Sequence, residues 1–128
     1  MVKDFTSFKN IEHFKKFLTE LNKFGFKLGE YAIFGSGPLA IRGLVKADDI
    51  DVIIKEKYWK WGDEDKVKIG NIEFLKSWYG EDINKVVDEA EIIKGKPYVK
   101  LDKVLKYKLF LNRKKDASHI KILKDILK

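Results

Sequence analysis

The sequence predicts an α/β (α+β) fold, a small mixed β-sheet flanked by helices, in a single domain over residues 1–128. Three observations carry the prediction. The chain opens with apolar residues at helical spacing, continues through short apolar runs separated by glycine turns, and closes with two more helical stretches. The order helix, strand, short helix, strand, hairpin places the sheet on the segments near Tyr31, Ile50 and Ile72, with helices mainly on one side. A length of 128 residues suits one domain and not two ordinary ones.

Taken in order, Asn10 is a candidate N-cap, followed at helical spacing by Ile11, Phe14, Leu18 and Leu21, with Phe17 and Phe24 widening the stripe. This helix reads as scaffold, with His13 on its surface and Gly25 at its end. Tyr31-Ala32-Ile33-Phe34 is a buried strand, and Gly35-Ser36-Gly37 is a tight turn. Pro38 suits the first turn of a helix that Gly43 keeps short. Residues 49–54 form the next strand, in which alternation puts Asp49 and Asp51 on one face and Ile50, Val52 and Ile54 on the other. Two carboxylates held on one face repel, and a divalent cation relieves the repulsion.

Aromatics then alternate with lysines over residues 57–61, before an acidic turn. Trp59 and Trp61 either stack on a base, with the lysines taking phosphate, or fold back on the core. Residues 67–78 read as strand, with a hairpin turning at Gly70-Asn71. Glu73, alternating with Ile72 and Phe74, either faces solvent or has a task. A short helix begins near Glu81-Asp82, and residues 90–101 form a last strand pair turning around Gly95-Lys96-Pro97. Asp102 is positioned to cap a helix over 103–111, and residues 120–127 form a terminal amphipathic helix.

Composition narrows the chemistry. Cysteine is absent and only two histidines occur, so thiolate sites are excluded and any metal is a hard cation such as Mg2+ or Mn2+ held by oxygen. No apolar run approaches the roughly 18 residues of a membrane span, and Met1-Val2-Lys3-Asp4-Phe5 lacks a signal-peptide core. The expectation is a cytoplasmic protein with no membrane partner. The net charge of +7 comes mainly from lysine, since Arg42 and Arg113 are the only arginines. Such an excess permits phosphate or nucleic-acid binding and equally serves a solvated surface.

Two motif readings compete over residues 31–55. Gly35-Ser36-Gly37-Pro38-Leu39-Ala40 matches the dinucleotide pattern G-x-G-x-x-A, with Glu56 about twenty residues on. Gly43, however, leaves too little helix for a parallel crossover, and the acids begin the second strand instead of ending it. The G-S turn, short helix and D-x-D strand fit better elsewhere. They resemble the nucleotidyltransferase superfamily that includes DNA polymerase beta, and look most like its small stand-alone prokaryotic members, some from toxin–antitoxin or abortive-infection systems.

The resemblance implies a nucleotidyltransferase-like fold in which Gly35, Ser36 and Gly37 hold nucleotide phosphates. It implies that Asp49 and Asp51 bind magnesium and that Glu73 stands where a third metal-binding, catalytic carboxylate belongs; a solvent-facing edge glutamate is the other reading of Glu73. Relatives often close with a helix carrying lysine, then arginine, then K-D, then another helix. Lys108, Arg113, Lys115-Asp116 and His119 match that pattern. Lys108 is then placed to reach a triphosphate, unless it is one surface lysine among many and Arg113 with Asp116 forms a plain ion pair. The implied activity moves a nucleoside monophosphate from a nucleoside triphosphate to a hydroxyl of a protein or RNA acceptor. The alternative is a catalytically inactive binding protein: an antitoxin or a subunit acting with a partner protein, with nucleic acid as a further ligand. The expected chain lacks the extra domain by which larger relatives hold an acceptor. The direction of Glu73 relative to Asp49 and Asp51 separates the two.

Overall fold

The computed structural model describes residues 2–128, with side chains described from residue 8 onward, so the reading of the amino terminus lies largely outside the described residues. The first helix, α1, spans Val2–Asn22. No proline or glycine interrupts that stretch, so it begins well before Asn10, and Asn10 is not a cap. The Asn10 side-chain amide instead donates to the Gly43 carbonyl at 3.1 Å, fastening the middle of α1 to the loop before the second strand.

The elements that follow are β1 (Tyr31–Phe34), α2 (Gly37–Ala40), β2 (Ile50–Ile54), β3 (Lys66–Ile69), β4 (Ile72–Leu75), α3 (Ile83–Asp88), β5 (Glu91–Ile93), β6 (Lys96–Tyr98), α4 (Leu101–Leu111) and α5 (Ala117–Ile126). The sheet has six strands in the order β3-β4-β2-β1-β6-β5. It is mixed: β2 runs antiparallel to β1 and parallel to β4, β1 runs parallel to β6, and the β3–β4 and β5–β6 edges are antiparallel hairpins. A dinucleotide unit needs parallel strands joined by a long crossover helix. Here β1 and β2 are antiparallel and α2 has four residues, which disposes of the G-x-G-x-x-A reading.

The central strands are apolar on both faces, and helices cover both, not mainly one as the sequence suggests. Ile33, Val52, Ile54 and Phe74 pack against Phe14, Phe17 and Leu21 of α1. On the opposite face Ala32, Phe34, Ile53 and Val99 pack against Val86 of α3, Val104 of α4 and Leu123 of α5. Ala32 and Ile53 make the difference: they alternate away from the α1 side and need cover of their own.

Several boundaries move for local reasons. The β5–β6 turn is Lys94-Gly95, with φ of 50° and 82°, the two positive values of a tight type I′ hairpin. Pro97 therefore lies not in the turn but in β6, opposite Ile92. Asp82 caps α3, accepting from the Asn84 amide at 2.9 Å. Asp102 does not cap α4, which starts at Leu101; it sits in the first turn, where its charge suits the helix dipole. Trp59 and Trp61 fold back on the core, Trp61 with its centroid 4.6 Å from that of Phe74 and 5.0 Å from that of Trp59. Among the described residues no helix is long and apolar enough to cross a membrane.

The packing between α2 and α1 is tight enough to test. A Cβ at Gly37 would lie 2.5 Å from Ile33 Cγ2 and 3.2 Å from Phe14 Cζ. Gly37→Ala is expected to cost about 1–3 kcal/mol through overpacking. A urea denaturation midpoint equal to that of wild type would show that the contact yields freely.

Candidate active site

Strand register builds the acidic part of the site. In β2 and β4, Asp51 lies directly beside Glu73; across β1 its partner is Phe34, and across β3 Glu73 meets Lys68. Paired residues share a face of the sheet. Asp51 and Glu73 therefore project together on the side of α3, α4 and α5, where a cleft of about 640 Å³ opens. Asp49 lines the same cleft from the bend before β2, which starts at Ile50, one residue later than the sequence suggests. Glu73 thus lies on the same side of the sheet as Asp51 and lines one cleft with both aspartates.

The glycine turn fits closely against this row. Gly35 has φ of 67°, and a Cβ built on it would stand 2.2 Å from Asp51 Oδ2. The residue must be glycine on both counts: the backbone is left-handed, and the Asp51 carboxylate occupies the side-chain space. Ser36 lines the cleft, and its hydroxyl makes no capping bond to α2. Gly37 does not line the cleft; it is buried against Ile33 and Phe14, so packing demands that glycine and phosphate access does not.

The opposite wall is cationic, and Asp116 organises it. Asp116 accepts from Lys108 Nζ at 3.1 Å and from Arg113 Nε at 2.8 Å. Burial alone would raise its pKa, but the hydrogen bonds from Arg113 and Lys108 outweigh that and hold it below the usual carboxylate range. Lys108 is 4% exposed, so it is no ordinary surface lysine. Arg113 and Asp116 do form the ion pair that the sequence allowed, and Lys108 joins it. Lys115 and His119 also line the cleft. Burial and nearby Lys108 depress the pKa of His119, against the pull of Asp116, and its Nδ1 is buried with no partner.

Asp51 carries the electrostatic conflict of the site. Burial, then Asp49, then Glu73 raise its pKa to about 7, while Lys108 and Arg113 pull the other way. The donor set, all carboxylate oxygen, suits a hard divalent cation, and relieving the Asp51 repulsion is what such an ion would do. Asp49, Asp51 and Glu73 are the residues that would hold such an ion. As they stand, no three or more acidic or histidine side chains among the described residues are gathered closely enough to enclose an ion.

The sequence reading missed the aromatic side of the cleft, where Trp78 and Tyr79 follow β4 and Tyr107 precedes Lys108 on α4. The run Ser77-Trp78-Tyr79-Gly80 was the available signal, since paired aromatics just beyond a strand end stand at the rim of a sheet. No protein-family model matches the chain, and comparison with curated proteins and with solved structures gives no match.

Two outcomes test this geometry. Without divalent cations, folding raises the Asp51 pKa from 3.8 to about 7, so the folded chain holds a proton that the unfolded chain releases. The penalty that Asp51 places on folding is then absent below about pH 4 and grows as pH rises toward about 7. Asp51→Asn should remove this contribution to the slope and be more stable than wild type at about pH 8, by on the order of 2 kcal/mol. Urea midpoints across that range decide it, and an unchanged slope would place the conflict elsewhere. Asp116→Ala should cost about 3–5 kcal/mol by leaving Lys108 buried without its partner. Asp116→Ala combined with Lys108→Met should recover most of that loss; a double variant as unstable as the single one would refute the account.

Proposed function

We propose that the chain is a metal-dependent nucleotidyltransferase, moving a nucleoside monophosphate from a nucleoside triphosphate to a hydroxyl of a protein or RNA acceptor. One observation carries the reading: Asp49, Asp51 and Glu73 share a cleft with Gly35 and Ser36 on one side and Lys108 and Arg113 on the other. Three mutually repelling acids placed against cations serve poorly as packing, and Asp51 bears the cost. The cations and the Ser36 hydroxyl suit the triphosphate. Asp49 and Asp51 would hold Mg2+ or Mn2+, which supplies charge stabilisation at the phosphoryl oxygens and the leaving group.

In this reading the acceptor hydroxyl oxygen bonds to the α-phosphorus as the bond from that phosphorus to the bridging oxygen of pyrophosphate breaks. Glu73 takes the hydroxyl proton. Lys108 and Arg113 stay beside the departing pyrophosphate, held there by Asp116. Tyr107 raises a wall beside the acids; its own pKa is pushed up by burial, then by Tyr79, and further by Asp51 and Glu73 against Arg113.

A second reading, a catalytically inactive binding protein that works with a partner protein, is favoured by two contacts. Lys108 is already engaged by Asp116, and Lys66 Nζ lies 3.6 Å from Glu73 Oε2. In that case the same cleft binds an anionic ligand without turning it over.

Incubation with each α-labelled triphosphate, magnesium or manganese, and candidate proteins or total RNA from the source cell separates the two. Wild type should label an acceptor, and Asp49→Asn should lower the rate by at least about a hundredfold. Absence of label with every triphosphate, or equal labelling by the variant, would sink the transferase reading.

A further inference from the structure

Trp78 and Tyr107 pack against the core, but the aromatic wall continues past them to two rings that lie outside it. Trp78 and Tyr107 lie with centroids 4.4 Å apart, and Phe34 backs Trp78 edge-on at 5.5 Å. Tyr79 then stacks on Phe110, with centroids 4.6 Å apart and planes 26° apart. These last two rings are largely open to solvent, Tyr79 at 51% and Phe110 at 62%. Tyr79 lines the cleft and Phe110 does not, so Phe110 stiffens one face of Tyr79 from behind. Tyr107 meets Tyr79 at 57° and does not cover its other face by stacking. A backed, exposed ring at the mouth of a charged cleft is a stacking platform in want of a flat partner.

The wall is also next to the cations. Tyr107 and Lys108 are successive on α4, so a ligand with its anionic end at Lys108 and Arg113 has its neutral end within reach of Tyr107 and Tyr79. A volume of about 640 Å³ is in the range of sites for small ligands. What the wall lacks is equally informative. Among the described residues no asparagine or glutamine lines the cleft, and the uncharged side-chain hydrogen-bonding groups of the wall are single ones, the hydroxyls of Ser77 and the tyrosines and the indole N–H of Trp78. Reading the edge of one base against another calls for paired donors and acceptors, as amides provide.

Resting on the nucleotide reading above, we infer that Tyr79, supported by Phe110 and flanked by Trp78 and Tyr107, is the platform for the nucleobase of the bound triphosphate. The site selects the base by ring area and not by its edge. Purines are held more tightly than pyrimidines, and adenine and guanine are held almost alike.

Calorimetric titration with manganese and the α,β-methylene analogues of ATP, GTP and CTP, with inorganic tripolyphosphate as the phosphate-only probe, tests this. Wild type should bind both purine analogues several-fold more tightly than the CTP analogue, and all three more tightly than tripolyphosphate. Tyr79→Ala, an exposed change that leaves the core intact, should weaken the purine analogues about tenfold and leave tripolyphosphate unchanged. Tyr79→Trp should restore the affinity. Equal purine binding by wild type and Tyr79→Ala would overturn the platform, as would wild-type affinity for tripolyphosphate equal to that for the nucleotides or a strong preference between the two purines. Each of those leaves the triphosphate site standing, whereas failure of wild type to bind any analogue or tripolyphosphate would overturn the nucleotide reading with it.

Discussion

The site depends on one pairing register. Phe34, Asp51, Glu73 and Lys68 form a row across four strands because β1–β2, β2–β4 and β3–β4 pair as they do. Side chains in a strand alternate, so sliding β2 by a single residue would turn Asp51 toward the α1 core and bring Val52 or Ile50 to the cleft. The apolar residues around Asp51 forbid that slip. Ile50, Val52 and Ile54 are fully buried on the α1 side, which leaves Asp51 on the other face with Ile53. Gly35 completes the constraint, since the space taken by the Asp51 carboxylate is where any larger residue at 35 would place its Cβ.

The two sides of the cleft are supplied by different parts of the chain. Asp49, Asp51 and Glu73 arrive from β2, β4 and the bend before β2, with Lys66 of β3 beside Glu73, and the Lys108–Arg113 pair arrives from α4 and the turn into α5. Asp116 belongs by sequence to the cationic side, and its carboxylate gives the almost wholly buried Lys108 a hydrogen-bonded partner. Asp51 has no comparable partner, and its raised pKa records the difference. Folding alone would favour an apolar or amide residue there. A conflict kept in a cleft, next to a pair of cations already satisfied, is characteristic of a site where local rules yield to a ligand.

Much of this was legible in the residues. The apolar run of β1, the G-S turn, the shortness of α2, the β3–β4 hairpin and the acidic positions all follow from alternation and turn chemistry. The extent of α1 was not, because Asn10 has the side chain of a cap and only the distant Gly43 carbonyl gives it another use. The cover on both faces was misread because β2 looks one-sided, with Ile53 the sole apolar residue on the cleft side of that strand. Gly37 and Gly35 look alike in sequence, yet one faces Ile33 and Phe14 and the other faces Asp51. The aromatic wall was legible only in part: Trp78-Tyr79 marks a strand end, but its meeting with Tyr107 and Phe110 of α4 is a contact that no local spacing encodes.

The placement of β6 bears on how the molecule is made. β1 sits in the middle of the sheet and pairs with β2, which follows it closely, and with β6, which arrives only after most of the chain. In sequence the acidic row is complete at β4, ahead of Lys108, Arg113 and Asp116. Without the elements after β4, Ala32 and Ile53 would have no helices over them, and one edge of β1 would be unpaired. Such a nascent sheet is sticky, because bare apolar surface and an open strand edge are what other chains adhere to. Carboxylates bared on that same face would repel one another between neighbouring copies and work against such adhesion.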